Sequence, residues 1–252
     1  MTLKALLFDV DGTLADTEEA HRIAFNAAFR DFGYDWHWDR ELYTYLLGTT
    51  GGKARIRRFL SEQHAGMLED SGADKLIADL HVCKTEHYVN ALNSGGVPLR
   101  SGVERLLREA REEGLRLAIA TTTSPVNVQA LLENTIGKES LDWFEAVGAG
   151  DCVEDLKPAP DVYLWVLDKM NLPPEECLAF EDSANGLKAA CTACIPTIVT
   201  SCPYTRNHDF SGACVILDGL GEPDEPFSIK QGNPHGQTYV DTSLLRHWLE
   251  GA

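Results

Sequence analysis

The sequence predicts an α/β fold, a doubly wound parallel sheet core interrupted near its start by a small all-helical domain. Three observations point there. Four short apolar runs each end at, or lead into, a polar residue. The segments between them carry apolar residues at helical spacing. One long interval near the start is helix-like throughout.

In chain order, "KALLF" is the first strand and ends at Asp9. From about Thr17 to Asn90 the segments "TEEAHRIAFNAAFRDFG", "DRELYTYLLG", "KARIRRFLSEQHAG" and "ADKLIADLHVCKTEHYVNAL" read as helices. "GVERLLREAREEG" sets Val103, Leu106, Leu107 and Ala110 on one face and stops at Gly114. Then follow the strand "LRLAIA" ending at Thr121, the helix "PVNVQALLENTIG", and "EAVGAG" leading through a loop to Lys157. The helix "PDVYLWVLDKMN", the strand "ECLAF" ending at Glu181 and Asp182, and the helix "SANGLKAACTA" complete the alternation. A late strand "ACVILD", a Gly/Pro-rich loop and a closing helix "SLLRHWLEG" come last.

Strands alternating with helices imply a parallel sheet covered on both faces. Ligands of such sheets gather beyond the carboxyl ends of the strands, where Asp9, Thr121, Lys157, Glu181 and Asp182 all fall. The expected division is a core of residues 1–16 and 91–252 with a helical domain of residues 17–90. The linkers are expected near Asp16 and in "NSGGVP", a stretch suited to a hinge.

With 252 residues, 44% hydrophobic and 24% charged, the chain can bury a substantial core. No apolar run approaches a bilayer-spanning length and no leader is evident, so a cytoplasmic location is expected. The formal net charge of -17 argues against nucleic acid and acidic membranes as partners. A monomer acting on a small molecule is expected. Seven cysteines without export signals imply reduced thiols. Cys191 and Cys194 form a CxxC without a second pair and read as core thiols.

Paired carboxylates beside a phosphate repel unless a cation intervenes, and hard oxygen ligands suit Mg2+. Asp9 and Asp182 are the expected metal ligands, joined by a backbone carbonyl of Asp11 and by Glu181 as orienter or ligand. Asp9 can attack phosphorus. Asp11 can protonate the leaving oxygen and then activate water. Thr121 can donate to a phosphoryl oxygen, Lys157 adds positive charge, and Gly12 frees the turn after Asp9 to bring N–H groups toward phosphate.

"DVDGT", Thr121, Lys157 in "LKPAPD" and "EDSANG" together resemble the four motifs of the haloacid dehalogenase superfamily of phosphohydrolases. That resemblance implies a Rossmann-like core, a C1-type helical cap, Asp9 as nucleophile and Asp11 as general acid/base. "DTEEAHRIAFN", "WHWDRELYTYLLGTTGGKARI" and "VDTSLLRHW" are similar to the CbbY group, relatives of beta-phosphoglucomutase. The group is associated with Calvin-cycle bacteria and plastids. It implies dephosphorylation of xylulose 1,5-bisphosphate, a misfire product of Rubisco, to xylulose 5-phosphate. The cap is expected to close over the sugar bisphosphate. The alternatives are a sugar-phosphate mutase using the same intermediate and a non-catalytic regulatory protein on the same core. The cap arginine of the mutases has no clear match here.

A bisphosphate needs a second anion site. "GTTGGKAR" offers Gly51, Gly52 and Lys53, and Lys84 opens a Lys-xxx-Tyr stretch ending at Tyr88. Glu18, His21 and Tyr43 resemble the group's substrate-facing residues. Lys53, Arg55, Arg57 and Arg58 also fit a solvated helix face, and Trp36 and Trp38 fit cap core. "GTTGGK" is not a Walker A loop, since Leu47 and Ala54 occupy required positions.

Overall fold

The computed structural model describes residues 2–251, so Met1 and Ala252, the outermost residues of the expected core, lie outside the described residues. Seven strands form one sheet: Ala5–Phe8 (β1), Arg116–Ala120 (β2), Phe144–Gly148 (β3), Cys177–Glu181 (β4), Thr197–Thr200 (β5), Val215–Leu217 (β6) and Ile229–Gln231 (β7). Their order is β3-β2-β1-β4-β5-β6-β7. The first six are parallel, and β7 closes the edge antiparallel to β6. The strand order reverses around β1, leaving a crevice beyond the carboxyl ends of β1 and β4.

Two of these strands lie outside the runs read from the sequence. Thr-Ile-Val-Thr of β5 is β-branched throughout and fully buried, between a helix and a loop. β7 is a three-residue, largely exposed edge strand with no apolar run to mark it.

By its internal contacts the chain divides into two compact units, Met1–Asp16 with Pro98–Ala252, and Thr17–Val97. The second crossing falls after Val97, not after Asn90. The fourth helix of the insert is a single unbroken element that carries the chain to Asn93, and the Gly-containing link follows it.

The helical unit contains Glu18–Asp31 (α1), Arg40–Leu46 (α2), Gly52–Gln63 (α3) and Ala73–Asn93 (α4). Asp39 caps α2 by accepting from the amide of Leu42. Its core is aromatic: Phe25, Phe29, Trp36, Trp38, Tyr43 and Phe59 pack ring on ring. Trp36 and Trp38 are therefore core residues. Asn26 holds the backbone of Trp38 at both N–H (2.8 Å) and C=O (2.9 Å).

The other unit adds Val103–Glu112 (α5), Pro125–Thr135 (α6), Asp161–Met170 (α7), Ala184–Thr192 (α8) and Thr242–Glu250 (α9). α5 buries Val103, Leu106, Leu107 and Ala110, the face its spacing predicts. On one side of the sheet Leu7, Ala118 and Ala179 pack against Val162, Val166 and Met170 of α7 and Ala189 and Ala190 of α8. Phe8 and Phe180 stack at 4.5 Å, fixing β1 against β4 just before the polar residues begin. All seven cysteines are unbridged. Cys191 and Cys194 are exposed, which corrects their reading as core thiols. α8 turns Cys191 outward and ends at Thr192, and Cys194 sits beyond it at a positive φ of 61°. No helix among the described residues is long and apolar enough to cross a membrane.

Candidate active site

Register places the site. Phe8 pairs with Phe180 and with Ile119, so the next residues of β1 and β4, Asp9 and Glu181, emerge side by side. The amide of Asp9 still donates to the Phe180 carbonyl at 3.0 Å. Thr121 follows β2 and its amide donates to the Gly148 carbonyl at 2.8 Å.

Lys157 joins these stations. Its Nζ donates to Asp9 Oδ1 at 2.7 Å, to Glu181 Oε1 at 2.6 Å and to the Ala120 carbonyl at 2.7 Å. Asp9, Lys157, Glu181 and Asp182 are all buried. One oxygen from each of Asp9, Glu181 and Asp182 lies within 4.8 Å of the others. Two of these three neighbouring carboxylates, Asp9 and Glu181, thus share one ammonium.

The electrostatics follow from that imbalance. Burial pushes the Asp9 carboxyl up to about 8, against the pull of Lys157 and helped by Glu181 and Asp11. Burial opposes the charge on Lys157, but Asp9 and Glu181 outweigh it and hold its ammonium above the ordinary lysine range. Burial and Glu181 also raise Tyr163, which stays a phenol and donates to Glu181 Oε1.

Glu181 Oε2 is buried and has no hydrogen-bond partner among the described residues. An orphaned carboxylate oxygen beside two further carboxylates is the donor set of a hard divalent cation, so the residues fit Mg2+.

Backbone geometry protects the cluster. Gly12 has a φ of +83°, and a Cβ there would stand 2.2 Å from Asp182 Oδ2. At Gly186 a Cβ would meet the Glu181 carboxylate at 1.8 Å. Ser183 caps α8 by accepting from the Gly186 amide at 3.0 Å, which holds that glycine in place.

Five participants were not foreseen. Tyr163 sits among the apolar positions of α7 and carries the spacing of a core residue. Cys202 Sγ and Thr205 Oγ1 each stand 3.2 Å from Asp182 Oδ2 and donate to it, across twenty or more residues of sequence. Burial and Asp182 push the Cys202 thiol up to about 12, so it remains a donor. Arg100 donates to the carbonyls of Gly12, Thr200, Ser201 and Asp218, tying the turn after Asp9 to the ends of β5 and β6. Gly186 is the fifth. Of the five only Gly186 carried a signal, as the glycine that ends the acidic stretch "EDSANG".

Within the helical unit two further pairs form. Tyr43 donates to Glu18 Oε2 at 2.7 Å and receives Arg55 Nη1 at 3.0 Å. Lys84 Nζ lies 2.7 Å from His21 Nδ1, and the His21 ring stacks on Tyr88 at 3.9 Å. Lys84 is 4% exposed. Gly51, at φ +90°, caps α3, and Lys53 on its first turn is exposed. Gly52 has a packing reason of its own: a Cβ would meet the His81 ring at 2.6 Å. Arg57 and Arg58 engage Asp74 and Glu62, as a solvated face does.

A doubly wound sheet with Asp9, Lys157, Glu181 and Asp182 converging beyond its central strands is the architecture of a phosphotransfer-type hydrolase. The chain belongs to the haloacid dehalogenase-like hydrolases, whose family pattern matches residues 3–193. Within that family it is similar to CbbY proteins. It is 46% identical over 250 residues to the plasmid-encoded CbbY of Cupriavidus necator, covering 99% of this chain and 98% of the relative. It is 52% identical over 213 residues to CbbY of Rhodobacter capsulatus, covering 84% and 92%. A crystal structure of mutant Rhodobacter sphaeroides CbbY in complex with xylulose-(1,5)bisphosphate superimposes with a TM-score of 0.82 at 47% identity, covering 88% of this chain and 96% of that one. The chain is thus a phosphatase-type hydrolase of the CbbY kind.

Proposed function

We propose that this chain is a Mg2+-dependent phosphomonoesterase that converts xylulose 1,5-bisphosphate to xylulose 5-phosphate and phosphate. The observation that carries the chemistry is the buried cluster in which Lys157 meets both Asp9 and Glu181, with Asp182 alongside. The substrate is inferred from the ligand of the similar Rhodobacter sphaeroides protein.

Asp9, Glu181, Asp182 and the backbone carbonyl of Asp11 would hold the cation. When bound, Mg2+ supplies charge neutralisation and orientation of the phosphoryl group. Asp9 attacks phosphorus and becomes an aspartyl-phosphate as the phosphorus–oxygen bond to sugar breaks. Asp11 gives its proton to the departing sugar oxygen. The Asp11 carboxylate then takes a proton from water, whose oxygen attacks phosphorus and frees Asp9. Thr121 donates to a phosphoryl oxygen, and Lys157 keeps Asp9 in place beside an anion.

The helical unit would take the sugar and its second phosphate. Glu18, His21 and Tyr43 supply polar contacts, Gly51, Gly52 and Lys53 offer N–H groups and charge, and Lys84 adds a buried cation.

Purified protein with Mg2+ and xylulose 1,5-bisphosphate tests this directly. Stoichiometric release of inorganic phosphate is expected. An isomeric sugar phosphate formed without release would replace the reading with mutase chemistry.

A further inference from the structure

A second constellation of metal-ligating side chains lies in the helical unit, among residues the hydrolytic chemistry does not use. α1 ends in Asp31. Cys83 and His87 lie four apart on α4 and therefore share one face. Both point at a single atom of α1: His87 Nε2 is 2.7 Å from Asp31 Oδ2, and Cys83 Sγ is 3.7 Å from the same oxygen. The three donor atoms lie within 4.8 Å of one another. Ligands bonded to one ion at about 2.0–2.3 Å keep such distances.

We propose that Asp31, Cys83 and His87 form a binding site for a thiophilic divalent cation of the zinc class. A sulfur, an imidazole nitrogen and a carboxylate oxygen suit zinc and disfavour magnesium, which takes oxygen ligands. Three protein ligands leave a fourth position for water. His87 and Asp31 keep 36% and 55% of their side chains exposed, so solvent and metal reach the site. As the sulfur–metal bond forms, the Cys83 thiol gives its proton to solvent. The Asp31–His87 hydrogen bond gives way to two metal bonds, and the proton on His87 Nε2 passes to solvent or, by tautomerisation of the ring, to Nδ1.

The site has a structural consequence. Lys84 and Tyr88 each adjoin one of the α4 ligands in sequence, and His21 lies on α1. A cation bridging Asp31 to Cys83 and His87 would clamp the two helices whose packing brings His21, Lys84 and Tyr88 together.

The test is a Co2+ titration of the full chain in excess Mg2+, read by near-ultraviolet absorption from thiolate ligation. One saturable equivalent is expected, displaced by one equivalent of Zn2+. Cys83→Ser should abolish the band, and His87→Ala should weaken Co2+ binding by about tenfold or more. Zn2+ should raise the melting midpoint of wild type and leave that of Cys83→Ser unchanged. A wild type without a saturable band overturns the site. So does a band that survives in both Cys83→Ser and His87→Ala, which would assign it to other thiols such as Cys191 and Cys194.

Discussion

At the scale of single residues, Lys157 is the buried ammonium that the carboxylates of the site lean on. It supports Asp9 and Glu181 at once, so Lys157→Ala strands buried carboxylates. Removing one partner of a buried pair costs about 3–5 kcal/mol. Urea unfolding in chelator should show a loss of that order, partly recovered when Mg2+ is added. Asp9→Asn should cut turnover by about 10⁴-fold or more while the protein still melts cooperatively. Its effect on stability has a definite sign. The Asp9 carboxyl, ordinarily near 3.8, is raised to about 8 in the folded chain. The folded state therefore binds more protons than the unfolded state between those values, and this contribution to stability is lost as pH rises through that window. In metal-free protein the melting midpoint of wild type should fall relative to Asp9→Asn from pH 4 to 8. A gap that stays constant across that range would contradict the assignment of the raised group to Asp9.

At the scale of elements, the turn after β1 is held from two directions. Gly12 admits the Asp182 carboxylate, and Arg100 pins the Gly12 carbonyl to β5 and β6. Gly12→Ala combines a positive φ, worth about 1–3 kcal/mol, with a collision against Asp182. It should weaken Mg2+ binding measured by calorimetry as well as stability. Arg100→Ala leaves four carbonyls without their charged donor and should cost about 3–5 kcal/mol in urea unfolding. The sequence made β1, β2 and β4 legible because each is an apolar run stopped by a residue with chemistry, and α5 because its apolar face is clean. β5 was as β-branched as any strand but ends at no charged residue to mark it, and β7 has almost no buried residue to announce it. The same division holds in the site. Asp9, Asp11, Thr121, Lys157, Glu181 and Asp182 stand in local motifs. Tyr163, Cys202, Thr205 and Arg100 act through contacts far apart in sequence, which no spacing records. Cys191 and Cys194 went astray for a related reason: helical periodicity predicts which face a residue shares, not that α8 stops two residues before Cys194.

At the scale of the molecule, a chain with a net charge of -17 buries Lys157 in one unit and Lys84 in the other. A ligand that binds only the folded state stabilises it by mass action. Mg2+ should therefore raise the melting midpoint of wild type, and Asp182→Asn should lose most of that increment. Asp9 at the end of β1 gains its sense from β4, which brings Glu181 and Asp182 beside it. The most direct measurement is phosphate release from xylulose 1,5-bisphosphate with Mg2+, comparing wild type with Asp9→Asn. Steady release by wild type and none by Asp9→Asn is the predicted result. No release by wild type, or equal release by both, would contradict nucleophilic hydrolysis at Asp9.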